Sequence, residues 1–222
     1  GSPASFGLLS PDHEFYNPGT PVYDPDPAKT REILESLGYK KGKGGFYEKG
    51  GRPLEVELLA SNITVAGESV TDRDGEVIKR ELEEAGIRVK LDPHAWKSYV
   101  SKVVAKEHDV FVTGWGPRTD PHLIYHPWWT KGGSWNKFIG DYSNPKVSEL
   151  LDEAGAEPDV EKRKALYAEA LGITLCRDVT HIWVAQGVQP IGWRTDVMGL
   201  TLAAHTSWVY HGGGFKMAWL DR

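Results

Sequence analysis

Strand-like and helix-like hydrophobic patterns alternate along the first half of the chain. Apolar residues alternate with polar ones in 54–58 and 87–91, and a third apolar stretch, 109–115, ends in glycine and tryptophan. Helical periods separate these stretches, at 70–85 and at 96–104. A strand, helix, strand, helix, strand order within about 60 residues predicts an α/β layer with at least partly parallel strands.

Other elements are predicted on either side of this layer. Asp26 and Pro27 have the residue types of an N-cap and a first helical residue, so a helix begins there. The glycine-rich segment 41–51 predicts a hairpin. Residues 117–143 are rich in proline and aromatic residues and are predicted to be loop-like, and 180–185 predicts an apolar strand.

The predicted domain organisation has three parts. Residues 1–26 contain five prolines and no period, which predicts an extended amino-terminal segment. Residues 27–186 form the α/β domain, which also contains helices capped by Asn144 and Asp159. Residues 187–222 are rich in Gly, Trp and His without a clear period and are predicted to wrap over a surface.

Composition excludes several classes of function. A net charge of −5 over 222 residues lacks the basic face that phosphate neutralisation needs, so no nucleic-acid partner is expected. No apolar run approaches the ~18–20 residues of a membrane span. The single cysteine, Cys176, excludes an internal disulfide framework and a cysteine-cluster zinc site. Nine tryptophans are unusual, because indoles suit a flat apolar surface that grips a ligand.

The richest group of chemical residue types follows the third predicted strand. In an open α/β sheet, ligands bind at the carboxyl ends of the strands. Trp115 lies at such an end, and Arg118, Asp120 and His122 follow it with a cation, a carboxylate and an imidazole. These side chains are expected to form one wall of a binding cavity.

The chain resembles the peptide and nickel class of substrate-binding proteins of ABC importers between about Tyr23 and Gln189. The resemblance rests on the order and spacing of many short segments rather than on one motif. They are Tyr23–Lys29, Leu37–Tyr39, Leu82–Val89, His108–Val110, Gly114–Gly116, Asp120–Pro121, Tyr142–Val147, Leu150–Ala154 and Arg163–Tyr167.

The resemblance implies an α/β fold with a mixed sheet flanked by helices. This fold would form the carboxyl-terminal lobe of a protein whose two lobes close around a solute. Residues 187–222 would be a return segment that packs on the amino-terminal lobe of the same protein. The implied function is capture of a peptide-like solute and its delivery to a membrane permease, without catalysis and without a cofactor. The implied location is extracytoplasmic, in the periplasm or at the cell surface, where the full-length protein can carry a lipid anchor.

The resemblance also assigns ligand contacts. Oligopeptide binders of this family have tryptophans that line the cavity at the positions of Trp96 and Trp115. Three residues after the second tryptophan they have an aspartate that pairs with the peptide ammonium, but here that position is Arg118. A guanidinium prefers carboxylate or phosphate, so the usual capture of a peptide by its amino terminus is not expected.

A nickel chelate is the first alternative solute. Trp115-Gly116 followed by Asp120-Pro121-His122 resembles the nickel-binding branch of the family, in which the histidine reaches a bound metal chelate. Imidazole suits Ni²⁺ when a second chelator fills the remaining positions. His122 is therefore a possible metal contact, with His126 four residues later, although no metal is predicted as a resident of the protein.

Two further alternatives concern other chemistry. Trp128, Trp129 and Trp135 would suit an oligosaccharide, whose apolar ring faces stack on indoles, and some family members take such solutes. A metal-dependent hydrolase could use the carboxylate and the two imidazoles around position 122. No nucleophile elbow, zinc helix or nucleotide fingerprint is present, and the surroundings of Cys176 are those of a packed thiol, so an enzyme is not expected.

Overall fold

The computed structural model describes most of the chain and divides it into two units. The described residues are 8–9, 11, 13–20, 24–62, 64–65, 68–114, 120–184, 193–200 and 218–221. We call Tyr23–Gly114 the sheet unit, and Gly1–Val22 together with Trp115–Arg222 the helical unit. Among the described residues, no helix is long and apolar enough to cross a membrane.

The sheet unit begins with helix α1, Pro27–Ser36. The Asp26 carboxylate caps it by accepting a hydrogen bond from the Lys29 backbone N–H at 2.9 Å, as predicted. Gly38 follows at φ +87°, a conformation that favours glycine and ends the helix. A small antiparallel sheet comes next, built from β1 (Lys40–Lys41), β2 (Tyr47–Lys49) and β3 (Arg52–Pro53). The predicted hairpin is therefore present.

A parallel sheet with two crossover helices forms the rest of this unit. Its elements in chain order are β4 (Glu55–Ser61), the antiparallel pair β5 (Thr64–Val65) and β6 (Glu68–Ser69), α2 (Val70–Glu84), β7 (Arg88–His94), α3 (Trp96–Ala105) and β8 (Val110–Phe111). The strand order is β7-β4-β8, and all pairs are parallel. The predicted parallel α/β layer is confirmed, although the third strand is shorter than the pattern 109–115 indicated.

The two crossover helices lie on opposite faces of this sheet. Strands β7 and β8 flank β4 on different sides, so two right-handed crossovers must pass over opposite faces. Helix α2 packs closely on the face of Ala60, since a Cβ at Gly75 would come within 3.3 Å of the Ala60 side chain. The aliphatic core of β4 (Leu58, Leu59 and Ala60) is almost completely buried between the two helices.

The helical unit is built from short helices and one small strand pair. They are α4 (His122–Trp129), a 3-10 turn (Asn136–Ile139), α5 (Pro145–Ala156), α6 (Val160–Leu171), a π-helical turn (Gly172–Arg177), and the antiparallel β9 (Val197–Met198) and β10 (Trp219–Leu220). Asn144 and Asp159 cap α5 and α6 as predicted. Aromatic and aliphatic residues form the core, including Tyr125, Trp129, Leu151 and Tyr167.

Two predictions of secondary structure are wrong in this unit. The segment 117–143 was predicted to be loop-like, yet it contains α4 and the 3-10 turn. Pro127 interrupts the sequence pattern, but burial of four large side chains stabilises α4 despite it. The described part of the predicted strand 180–185, residues 180–184, is not in a strand. Its first backbone N–H, that of Thr180, donates to the carbonyl of Thr174 instead.

Candidate functional site

The carboxyl edge of the parallel sheet has the topology of a ligand site. The strand order reverses at β4, because its neighbours β7 and β8 are reached through helices on opposite faces. Open α/β sheets bind ligands in the crevice at such a switch point. Ser61, His94 and the segment 112–114 lie at this edge, and α3 begins there. The sheet unit thus presents the kind of edge that the sequence predicted.

Trp96 stands at this edge as the first residue of α3. Its side chain is 50% exposed, and its ring stacks on Tyr99 with centroids 5.5 Å apart and an interplanar angle of 21°. Tyr99 is buried, and its hydroxyl donates to the carbonyl of Val112, just beyond β8, at 2.9 Å. Burial raises the pKa of Tyr99 to about 12, so it remains a neutral donor. Trp96 therefore offers an exposed indole on a rigid support.

A polar network that was not predicted from the sequence joins β7 to α3. One oxygen of Asp92, Oδ2, is 2.9 Å from Lys102 Nζ and 2.9 Å from His94 Nε2. The hydrogen bond from Lys102, followed by that from His94, lowers the pKa of Asp92 below its ordinary value. The alternation of Asp92 and His94 along β7 was a signal for this network, since residues two apart on a strand share a face.

In the helical unit, Asp120 is bound to other parts of the fold. Its Oδ1 accepts hydrogen bonds from Arg163 Nη2 at 2.7 Å and from the His122 backbone N–H at 2.8 Å. Arg163 also donates from Nε to the carbonyl of Ala154 at 2.9 Å. Burial is the largest single influence and would raise the pKa of Asp120, but the hydrogen bonds from Arg163 and the His122 backbone, together with the nearby positive charge, lower it below its ordinary value. In this structure Asp120 holds the start of α4, and sequence reasoning gave Arg163 no role.

His122 lies half-buried at the beginning of α4. Its Nδ1 is buried and has no hydrogen-bond partner among the described residues. A Cβ at Gly155 would lie 2.6 Å from the imidazole, so the ring occupies the space that glycine leaves. Burial, followed by the nearby His126, lowers the pKa of His122, which favours the neutral form.

The imidazole of His126, four residues further along α4, lies against the imidazole of His122. The two ring centroids are 4.7 Å apart, and His126 Nε2 lies 3.0 Å from Asp152 Oδ1. Within the described ranges, no group of three or more His, Cys, Asp or Glu side chains could hold a metal ion. A metal at His122 would therefore need donors from elsewhere, such as a chelator.

Two of the three tryptophans of the predicted oligosaccharide site lie in the core. Trp128 is 3% exposed and Trp129 is fully buried. Trp135 is half-buried, with its ring centroid 5.9 Å from that of Trp128. In this structure Trp128 offers almost no surface to a solute, so we leave it out of the proposed binding surface. Of the three indoles proposed to stack on an oligosaccharide, only Trp135 then has surface available for a solute.

Two predicted contacts, Trp115 and Arg118, lie outside the described residues. The expected meeting of Trp96 with Trp115 and with the segment 118–122 therefore stays a prediction. Trp96 belongs to the sheet unit, whereas Asp120, His122 and Trp135 belong to the helical unit.

Comparison with known proteins identifies a protein family that matches this chain. The model of the family described as "bacterial extracellular solute-binding proteins, family 5 Middle" matches residues 1–137. The probable ABC transporter periplasmic-binding protein SapA of Escherichia coli is 22% identical over 190 residues, which is 85% of this chain and 32% of SapA. The nickel-binding protein NikA of Staphylococcus aureus is 23% identical over 192 residues, which is 86% of this chain and 37% of NikA.

A solved structure shows the same fold. The oligopeptide-binding protein AppA of Bacillus subtilis, in complex with a nonapeptide, superposes with a TM-score of 0.72 and 19% identity over 100% of this chain and 43% of AppA. The predicted α/β fold class of two-lobed binding proteins is confirmed. The chain spans about a third of the length of the curated relatives that it matches.

Proposed function

Since the chain belongs to the bacterial extracellular solute-binding proteins of family 5, we propose that it is part of the substrate-binding component of an ABC importer. In this proposal the full-length protein captures a peptide-like solute between two lobes and this chain supplies one of them. The printed names of two matched proteins support it, an ABC transporter periplasmic-binding protein and an oligopeptide-binding protein solved with a nonapeptide. Members of the family bind solutes, and we propose reversible capture without catalysis for this protein.

The observation on which the proposal depends is the exposed indole of Trp96 at the switch point of a parallel sheet. An indole supplies a large contact area and loses little conformational entropy on binding. Its stacking on the anchored Tyr99 fixes its orientation before a solute arrives. The other predicted contacts are retained as part of the proposal, with the exception of the buried Trp128: Trp115, Arg118, Asp120, His122 and Trp135.

The proposal also includes the organisation and location of the protein. Residues 1–26 would be an extended amino-terminal segment, 27–186 the solute-binding lobe, and 187–222 a return segment on the amino-terminal lobe. The partners would be that lobe and a membrane permease. The matched periplasmic proteins support a location outside the cytoplasm, and a lipid anchor on the full-length protein is compatible with it.

A nickel chelate is the second candidate solute. The observation that favours it is His122, a half-buried imidazole whose pKa is lowered, because the neutral form is the one that coordinates metals. The nickel-binding protein among the matched relatives supports the same candidate. A chelator would supply the donors that the described residues lack.

Mass spectrometry and elemental analysis of material that co-purifies with the full-length protein would test the proposal. Peptides released unchanged on denaturation would support peptide capture, and stoichiometric nickel would support the chelate. Trp96→Ala should then weaken binding of the identified solute about tenfold, roughly 1.4 kcal/mol. Trp193→Ala is the matched control, because Trp193 is 48% exposed and belongs to the helical unit rather than to the sheet unit. Equal affinities of Trp96→Ala and wild type would contradict the assignment of Trp96.

A further inference from the structure

We propose that Ser61 and the first turn of α3 form a carboxylate-binding subsite at the sheet edge. The subsite would hold a carboxylate of the captured solute, such as the carboxyl terminus of a peptide or a carboxylate of a chelator. This inference rests on the proposed function, because it specifies the chemistry of the same edge.

The amino terminus of α3 has no cap in the structure. Ala95 occupies the N-cap position, and no side chain accepts from the first turn. The backbone N–H groups of Trp96, Lys97 and Ser98 have no hydrogen-bond partner among the described residues. Free N–H groups at the start of a helix favour an anion through both hydrogen bonding and the helix dipole.

The charges in the first turn of α3 also favour an anion. The first turn of α3 contains no acidic residue, whereas it does contain Lys97, which is exposed. A lysine at the amino terminus of a helix is unfavourable for the isolated helix, because it meets the positive end of the dipole. A bound carboxylate would compensate both the dipole and the lysine.

Ser61 supplies an independent observation. Its side chain is only 1% exposed, yet its Oγ has no hydrogen-bond partner among the described residues. Buried hydroxyls are normally hydrogen-bonded, and an unpaired one is costly. A ligand atom that bonds to Oγ would remove this cost.

The sheet register directs Ser61 towards α3. Ser61 is paired with His94 in the parallel register of β4 and β7, so the two side chains lie on one face of the sheet. Asp92, two residues before His94, shares that face and bonds to Lys102 of α3. Helix α3 therefore covers the face of Ser61, and its first residue follows His94 by only two positions. The hydroxyl and the free N–H groups thus belong to the same corner of the unit.

The corner matches a carboxylate in chemistry. The Ser61 hydroxyl can donate to one carboxylate oxygen and the α3 N–H groups to the other, as in other anion sites at helix amino termini. The indole of Trp96, at the first position of the helix, would contact the apolar part of the solute next to its carboxylate. A solute amide in place of the carboxylate would lose the charge that the helix dipole favours.

An NMR titration of the 222-residue chain tests the subsite with acetate as the probe. Acetamide, a neutral molecule of the same shape, and sodium chloride at equal ionic strength are the controls. We expect acetate to shift the amide signals of Trp96, Lys97 and Ser98 saturably, with affinity at least fivefold higher than that of acetamide. Equal responses to acetate and acetamide would overturn the proposal.

Two variants sharpen this titration. Ser61→Ala should weaken acetate binding about fivefold, and Lys97→Gln should weaken it by a smaller factor, while both keep the dispersed spectrum of the folded chain. Unchanged acetate affinity in folded Ser61→Ala would overturn the role of Ser61. If Ser61→Ala does not fold, the comparison of acetate with acetamide on the wild-type chain decides alone.

Binding by the full-length protein separates the subsite from the proposed function. An identified peptide solute should bind at least tenfold more tightly than its carboxyl-terminal amide. Equal affinities for the peptide and its amide would refute the subsite and leave solute capture intact. Absence of any captured solute would refute the proposed function. The acetate titration would still test the subsite, because it does not depend on an identified solute.

Discussion

Trp96 of the sheet unit and the two tryptophans of α4 in the helical unit have opposite environments. In the sheet unit, Trp96 stands half-exposed at the edge of a sheet whose core consists of aliphatic residues such as Leu58 and Leu59. In the helical unit, Trp128 and Trp129 are the core, packed with Tyr125 and other aromatic rings. Trp96 is exposed where aliphatic residues fill the interior, whereas Trp128 and Trp129 are buried because they are part of the interior.

The reason for the difference lies in the architecture of each unit. A parallel sheet covered by helices on both faces buries continuous aliphatic runs on its central strand. Short helices with proline-rich connections bury less surface each, and large aromatic side chains fill the spaces between them. The exposed indole of Trp96 is therefore available for binding, whereas the buried indoles of Trp128 and Trp129 contribute to stability.

The largest predicted effect tests this contrast directly. Trp129 is fully buried, and its Nε1 donates to Thr180 Oγ1 at 3.0 Å. Trp129→Ala should lower the free energy of unfolding by about 3–5 kcal/mol, because it leaves a large cavity in the aromatic core and removes the hydrogen bond to Thr180. Trp96→Ala should lower it by only about 1 kcal/mol. Urea denaturation of both variants measures the difference, and equal losses would contradict the comparison.

Much of the sheet unit was predictable from the sequence. Its strands and helices follow from hydrophobic period, and the helix begins at Asp26 because the N-cap chemistry is local. The helical period 96–104 put Trp96 at the start of a helix, and its role as a ligand contact came from the family resemblance. The bond between Asp92 and Lys102 did not, since it joins a strand to a helix and depends on which face that helix covers.

The helical unit was less predictable because long-range packing decides its structure. Pro127 hid the helical period of α4, and burial against α5 and other neighbouring elements makes that helix stable. The ion pair of Asp120 with Arg163 spans 43 residues of sequence. An aspartate that begins a helix resembles a ligand-binding aspartate in sequence, so its structural role was visible only with Arg163 beside it.

The second prediction concerns His181 in the aromatic core of the helical unit. Burial lowers its pKa to about 4, and its Nδ1 faces the Nε1 donor of Trp129 at 3.3 Å, which favours the neutral ring. The unfolded chain binds a proton near pH 6.5, so stability should fall as the pH is lowered from 6.5 towards 4. The expected loss of stability over this pH range is about 2–3 kcal/mol.

His181→Phe isolates this contribution because it keeps a ring beside Trp183, whose centroid is 5.7 Å away. We expect the free energy of unfolding of this variant to fall less steeply between pH 7 and pH 4.5 than that of the wild type. Denaturant titrations at a series of pH values measure both slopes. Parallel slopes would show that burial of His181 does not control the acid sensitivity of this unit.

The smallest predicted effect is that of removing the charge of one carboxylate in the helical unit, compared with the same change in the sheet unit. Asp120→Asn should lower the free energy of unfolding by about 1 kcal/mol at pH 7, because the bond to Arg163 loses its charge while the side chain is 43% exposed. Since its folded pKa is lowered, this stabilisation is complete above the ordinary value of 3.8 and disappears as the pH falls below it. Asp24→Asn in the sheet unit is the control, because Asp24 is exposed. A difference between the two variants that persists at pH 2 would show that Asp120 acts through its shape rather than through its charge.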